Sequence, residues 1–459
     1  MQNITLEHPE YSAKRAMWRK YKDLYIGGEQ MKTNASEYLS PRQKEPMDVY
    51  AERLDKVFYE NYVGSIIDWY AATLFRREAV LHIDGASQTG RRFFNTLSED
   101  CDLKGSNLSD FFRRRIVDSL VFGSSLILVD FPRTTVALES RAAEDENGAS
   151  RAYLVDYTPE NLVNWSYDEH GNFNWIVLRT SELKKESVEA DGWTEETRWF
   201  YYDKQNYRTY RMRNARDRES PIELVDQGLH GLARLSRVPL FEMKVSDGLW
   251  LMNKAGLVQL EHFNKSNALS WALTMGLFAV PVIYSERDWN QVVGESYYIQ
   301  LAPGDKFGWT EPEGKVFEIA GHNLQRLQQE IYRVCYLLTQ SRDGAAQSGL
   351  SKLRDFAITQ EVLRGYGDMV KDTLKRVLRS IGAAREDGLS IDVSGLDDFD
   401  IGDFAGDLED ARQLLSLGIE SRTLRVQLYK RLAQKYLCDV RQELKDQIAL
   451  EIEASAGRK

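Results

Sequence analysis

Few residues in this sequence are spaced to do chemistry. The nearest approach to a phosphate-binding loop is Gly344, Ala345, Ala346, Gln347, Ser348, Gly349, Leu350, Ser351 and Lys352. The glycines have the separation of GxxxxGK[ST], but Leu350 stands where a lysine must reach the phosphates. The preceding QRLQQEIYRVCYLLTQ is patterned as a helix, whereas a phosphate loop follows a buried strand. The glycines instead fit a flexible loop between two helices. His8, His82, His170, His230, His262 and His322 are scattered, and none pairs with a cysteine or another histidine at metal-ligand spacing. They read as surface or packing residues. HExxH, GxSxG and a strand-following GxGxxG do not occur. The acidic stretch DDFDIGDFAGDLED (397–410) fails as a calcium loop, because the spacing from Asp398 gives Asp400 and then Gly402. It reads as a solvated linker. The expectation is a chain with no catalytic, cofactor or metal site, and not an enzyme.

Composition narrows the classes further. The 459 residues carry 60 basic and 70 acidic side chains, a formal net charge of −10. A protein that grips nucleic acid over a wide surface is usually basic, so any DNA contact is expected to be local or weak. The basic runs Arg76-Arg77, Arg91-Arg92 and Arg113-Arg114-Arg115 read as solvated helix faces or ion pairs between subunits. Cys101, Cys335 and Cys438 are far apart and odd in number, so no disulfide framework follows, and a reducing, cytosolic site of synthesis fits. The first residues, MQNITLEHPEYSAKRAMW, hold no apolar signal core. Residues 268–284 are uncharged, but Pro281 interrupts them, and they read as a buried helix end running into a strand rather than a membrane span.

The elements that must position any site alternate in character along the chain. Helices are expected from Pro9 to Gly27, over 47–60 and 62–77, and near 89–99 and 108–121; strands are expected at 79–83 and 124–132. From Arg151 to Phe241, runs rich in Tyr, Trp, Val and Thr alternate with polar turns and predict one antiparallel sheet. A helix follows over 255–276, then strands at 278–284, 296–302 and 315–319. Leu324, Leu327, Ile331, Val334 and Leu338 step by three and four residues, predicting a helix over 323–339. A longer one spans Ser351–Ala383, with Leu363, Tyr366, Val370, Leu374, Val377 and Ile381 on one face; its 33 residues would reach about 50 Å. A helical unit over 408–455 closes the chain, broken at 417–423 with Ser421 as a helix cap. The fold class is α+β.

Several stretches carry a resemblance. HPEYSAKRAMWRKYKDLYIGGEQMK with EYLSP, VFYENYVGSIIDWYAATLFRRE, FGSSLILVDFP, the stretch from VPLFEMKVSDGLW to FAVPVIY, and LLSLGIESRTLRVQLYKRL are each similar to segments of tailed-bacteriophage portal proteins, in the same order. The branch concerned is often labelled only as a domain of unknown function. The resemblance implies a wing over 1–245, a stem helix over 246–276, a clip over 277–320, and a second stem helix over 321–340. It then implies a tunnel loop over 341–350, a long helix with return to the wing over 351–404, and a helical crown over 405–459. It implies a ring, usually of twelve copies, at one capsid vertex, through which double-stranded DNA passes without sequence recognition. Terminase large subunit, major capsid and scaffolding proteins and a head–tail adaptor are the implied partners. The implied location is the virion, after synthesis in the host bacterial cytoplasm, with no membrane partner. The residues it assigns to the DNA channel are Gly344, Ala345, Ala346, Gln347, Ser348 and Gly349, with Lys352 and Arg354 just beyond. Two other classes stay open at this point: a cytosolic enzyme with an unrecognised site, and a membrane-associated interaction protein using 268–284.

Overall fold

The computed structural model describes residues 4–85, 87–132, 151–185, 192–213, 221–276, 280–285, 303–310, 314–337, 349–396, 404–419, 421–437, 440 and 442–455. Clustering of the chain divides it into two compact units. One contains residues 1–22, 67–253 and 344–459; the other contains 23–66 and 254–343. The helices are α1 (Pro9–Ile26), α2 (Gly28–Thr33), α3 (Ala35–Tyr38), α4 (Met47–Asp55), α5 (Tyr62–Leu74), α6 (Gln88–Glu99) and α7 (Leu108–Phe122). They continue with α8 (Leu251–Gly276), α9 (Gly314–Val334), α10 (Gly349–Arg385), α11 (Phe404–Ser416), α12 (Arg422–Tyr436) and α13 (Gln442–Ser455). The strands are β1 (Val80–Asp84), β2 (Ser124–Asp130), β3 (Tyr153–Tyr157), β4 (Leu162–Tyr167), β5 (Phe173–Lys184) and β6 (Thr194–Asp203). The rest are β7 (Asn206–Arg213), β8 (Glu223–Leu229), β9 (Leu240–Lys244), β10 (Val280–Tyr284), β11 (Lys306–Thr310) and β12 (Ser390–Ser394). The mixture of helices with antiparallel sheets is α+β.

In the larger unit the core forms around α10, a 37-residue helix of about 55 Å. Its predicted stripe is buried throughout: Leu363, Tyr366, Val370, Leu374, Val377 and Ile381 are each at most 2% exposed. Tyr366 meets Tyr70 of α5 edge-on at 5.6 Å and donates its hydroxyl to the Leu249 carbonyl at 2.6 Å. Edge-on aromatic pairs add about 0.5–1.5 kcal/mol beyond their buried area. Local chemistry sets the ends of the shorter helices. Ser87 and Asn107 accept the Gly90 and Asp110 amides to open α6 and α7. Gly123 closes α7 at φ 91° with a backbone most residues avoid, and its α-carbon faces the Trp250 indole.

The single sheet expected over 151–241 is two sheets. Strand β3 pairs with β2, which pairs with β9, while β4 to β8 form a separate five-stranded antiparallel meander. The break is the turn Thr158–Asn161. Asn161 Oδ1 accepts the Thr158 amide and hydroxyl at 3.0 and 3.1 Å, and Pro159 begins a helical turn that ends strand pairing. Strand β1 pairs with β12, from Val80↔Ser394 to Asp84↔Ser390.

In the smaller unit, residues 254–276 of α8 hold the earlier chain by side-chain amides. Gln259 donates to the Glu60 carbonyl at 2.7 Å and accepts the Val63 amide at 3.3 Å. Asn267 bonds the carbonyl and amide of Phe58 at 2.9 and 3.1 Å, and Asn264 bonds the Tyr38 carbonyl and Ser40 amide at 3.1 and 3.4 Å. These bonds account for an early stop. The helix expected to reach residue 60 ends at Asp55, because Phe58 is committed to Asn267 rather than to a helical ladder. Asp23 is buried at 1% exposure and accepts from Gln30, Asn34 and Tyr38 at 2.9, 2.9 and 2.6 Å. A buried carboxylate is tolerated when its oxygens are bonded in this way.

Two expectations fail in this unit. Residues 315–319 (KVFEI) are helix, not strand, and α9 begins at Gly314 and ends at Val334 rather than spanning 323–339. A five-residue run cannot by itself separate the two periods. Val316 and Ile319 are 65% and 61% exposed, so burial does not fix them either. The partner of β10 is therefore β11, in register from Val280↔Thr310 to Tyr284↔Lys306. The strand expected at 296–302 lies outside the described residues. The uncharged stretch after residue 267 is less buried than expected, with Leu273 41% exposed. Among the described residues no helix is long and apolar enough to cross a membrane.

Candidate functional site

The channel residues expected from the sequence fall at the start of α10. Gly344, Ala345, Ala346, Gln347 and Ser348 lie outside the described residues; Gly349 opens α10, and the backbone of Lys352 and Arg354 forms its first turns. The described residues therefore bring none of these side chains together. The long helix is in place, running from Gly349 to Arg385.

Further along α10, a charged groove of about 660 Å³ opens between that helix and β9. Its cations come from one face of α10, Lys375, Arg376 and Arg379, and from Lys244 on β9; Glu242 and Asp372 also line it. Lys375 Nζ lies 2.8 Å from Asp392 Oδ1, and the same oxygen is 3.8 Å from Arg379. The Lys375 bond, aided by Arg379, holds the Asp392 carboxyl below the usual carboxylate range. Arg379 Nε donates to the Ile391 carbonyl at 3.0 Å, which fixes β12 to the helix. Arg376 donates to the Glu242 carbonyl at 2.9 Å on the outer edge of β9. Arg237 stacks 4.5 Å from the Phe241 ring, and burial together with nearby Arg376 disfavours its charge. Sequence reasoning missed this groove because its cations lie on β9 and α10, more than a hundred residues apart in the chain, and only packing brings them together.

A second cleft, of about 200 Å³, shares Glu242 and Lys244 with the first. Its floor is aromatic, with Trp18, Trp165, Tyr167, Phe173 and Trp250. The Trp18 and Trp250 indoles donate to the Phe122 and Val121 carbonyls at 3.2 and 3.1 Å. Tyr167 is half exposed and stacks on Phe173 at 5.0 Å. Partial burial, with Glu242 and Glu10 nearby, pushes its hydroxyl up to about 12.

The arginine run on α7 divides by face, as helical spacing requires. Arg113 pairs with Asp110 at 2.8 Å, and Arg114 bonds Ser106 at 2.6 Å. Arg115 is buried between Asp118 and Asp156, 3.0 Å from each. Burial pushes the Asp118 carboxyl up to about 6 against the pull of Arg115, with Asp156 adding to the rise.

No metal-holding group of histidine, cysteine and acidic residues occurs among the described residues. His8 stacks on Trp165 at 3.9 Å, and His82 bonds Ser394 at 2.7 Å. His262 is 2% exposed, edge-on to Tyr62 at 5.1 Å, with Nε2 3.6 Å from Glu60 and Nδ1 unbonded. Burial lowers its pKa, with Glu60 opposing. The folded protein therefore binds a proton at His262 less readily than the unfolded chain, which does so near the ordinary value of 6.5. The stability this neutral ring supports is present above that pH and is lost as pH falls. Thermal unfolding followed between pH 7 and about pH 5 should show a smaller acid-side decline for His262→Phe than for the parent. Equal declines would exclude His262 as a source. Buried His230, whose pKa burial also lowers, keeps a residual decline in both.

No family model matches the chain, and no curated protein matches it. Among solved structures it is similar to a chain in the neck of an empty gene transfer agent (GTA) particle computed with C6 symmetry. The identity is 15% and the TM-score 0.41, covering 80% of this chain and 90% of that one. It is also similar to a chain of the virion of a native gene transfer agent particle, at 14% identity and TM-score 0.39, covering 86% and 97%. A third is in the neck of a native particle computed with C12 symmetry, at 13% identity and TM-score 0.36, covering 80% and 89%.

Proposed function

We propose that the chain is a portal protein. Copies of it form a ring, usually of twelve, at one capsid vertex, and double-stranded DNA enters and leaves through the hole. The observation that carries this reading is the order of elements in the second half of the chain. A 26-residue helix, α8, leads into the antiparallel pair β10–β11; a 21-residue helix, α9, returns; the 37-residue α10 and three terminal helices follow. A 37-residue helix is about three times the mean for globular proteins, and it suits an element that spans a ring wall.

In this reading residues 1–245 are the wing, α8 and α9 the stem, and 277–320 the clip, which docks terminase and later a head–tail adaptor. Residues 341–350 are the tunnel loop, with Lys352 and Arg354 beside it, and 405–459 are the crown. Capsid and scaffolding proteins surround the ring in the virion. The subunit carries no catalytic step; the packaging motor hydrolyses the nucleotide. The net charge of −10 per copy favours weak contact with phosphates, so DNA slides without sequence recognition.

Negative-stain microscopy of the purified protein, with its mass in solution, tests the reading. Rings with a central hole and about a dozen subunits are expected. A compact dimer or tetramer without a hole would overturn it.

A further inference from the structure

Helix α9 stops on a residue type that such a stop does not favour. Its apolar spacing, Leu324, Leu327, Ile331, Val334 and Leu338, runs on past the last helical residue, Val334. Two backbone bonds make the stop. The Tyr336 amide donates to the Arg333 carbonyl at 3.1 Å, and the Leu337 amide donates to the Tyr332 carbonyl at 2.9 Å. This closure sets one residue in the left-handed region, and glycine usually supplies it. Gly123 does so at the end of α7, at φ 91°. At the end of α9 the residue is Tyr336, at φ 61°. That backbone disfavours a residue with a β-carbon, so the surroundings must hold Tyr336 in place.

Lys254, in the first turn of α8, meets it. The ammonium lies 4.3 Å from the centre of the Tyr336 ring and donates to the Tyr336 hydroxyl. Lys254 has no carboxylate partner among the described residues. Both residues belong to the smaller unit: the chain enters it for the second time at Lys254 and leaves it at Asp343, soon after Tyr336. Beside them Cys335 is fully buried. Burial pushes its thiol up to about 12 against the pull of Lys254, so the ammonium lies near the sulfur as well.

We propose that Lys254 is a latch on Tyr336: it holds the tyrosine left-handed, keeps the last turn of α9 closed, and so keeps Cys335 covered. When the lysine is withdrawn, Tyr336 leaves that conformation, the two closing bonds break, and the thiol becomes reachable. Residues 335–337 are then a two-position element at a helix end, the kind of place that absorbs backbone change when a protein moves. The inference concerns the smaller unit by itself and stands whether or not copies of the chain form a ring.

Cys335 reads the latch in the full chain. Iodoacetamide labels a covered thiol only through opening, and peptide mass spectrometry follows each cysteine separately. Lys254→Met should speed Cys335 labelling about tenfold, with Cys101 of the larger unit, also buried, unchanged. Glycine adopts the left-handed backbone freely. Tyr336→Gly should therefore label no faster than the parent, and Lys254→Met added to it should change nothing. An unchanged rate in Lys254→Met overturns the proposal. So does an equal acceleration in both backgrounds, since the lysine would then act on packing and not on the strained residue. If Lys254→Met uncovers Cys101 as well, the chain has unfolded, and Tyr336→Phe takes its place. Loss of the hydroxyl alone should speed Cys335 labelling about threefold, and no change there overturns the latch.

Discussion

Gly367→Ala should destabilise the larger unit by about 3 kcal/mol, while Gly382→Ala on the same helix should stabilise it by about 0.5–1 kcal/mol. An alanine methyl at 367 would lie 2.3 Å from the Leu396 carbonyl oxygen, a backbone atom that cannot rotate away. Leu396 is itself held at φ 56°, so the segment has little room to shift. A methyl at 382 would meet Ile391 and Phe94 side chains at 3.5 and 3.6 Å, ordinary packing distances. Both substitutions improve helix propensity equally, so their opposite signs isolate the close approach. Chemical denaturation followed by circular dichroism at 222 nm reads both. Equal shifts in one direction would mean that α10 and residue 396 are not packed this closely.

The second large effect concerns the smaller unit. Gln259→Met keeps the length of a fully buried side chain but removes the bonds to Glu60 and Val63. It leaves a carbonyl and an amide without those partners, at about 1–3 kcal/mol each. A loss of about 3 kcal/mol is expected. Hydrogen exchange should quicken first at the Val63 amide, before exchange in α10. If exchange quickens uniformly, the amide clamp is not what holds the 58–63 stretch.

Helical order was the most legible feature of the sequence, for a physical reason. The stripe on α10 repeats over nineteen residues from Leu363 to Ile381, and every member is buried. Ser421, read as a cap, accepts the Leu424 amide at the start of α12. Strand identity was legible where side chains alternate over long runs, as in β5 and β6. Strand partnership was not. Nothing near Val80 announces that it will pair with Ser394, and Tyr153–Tyr157 has the same composition as the strands of the meander it does not join. The acidic stretch read as linker to residue 410 turns helical at Phe404, since Ala405, Leu408 and Glu409 favour helix over solvated coil. The groove on α10 was invisible for the same reason as the pairings. Its cations come from places more than a hundred residues apart, and only packing assembles them.

The β1–β12 pair has a consequence for how the protein is made. A ribosome adds about 5–20 residues per second, so roughly 15–60 seconds separate the emergence of Val80–Asp84 from that of Ser390–Ser394. Throughout that interval the nascent chain presents β1 without β12, its strand partner among the described residues, along with the α5 and α6 surfaces that await α10. Such an edge is a template for wrong pairing with another nascent chain. Polysomes carrying many copies would be the most exposed, and factors that shield the emerging chain should raise the yield of native protein.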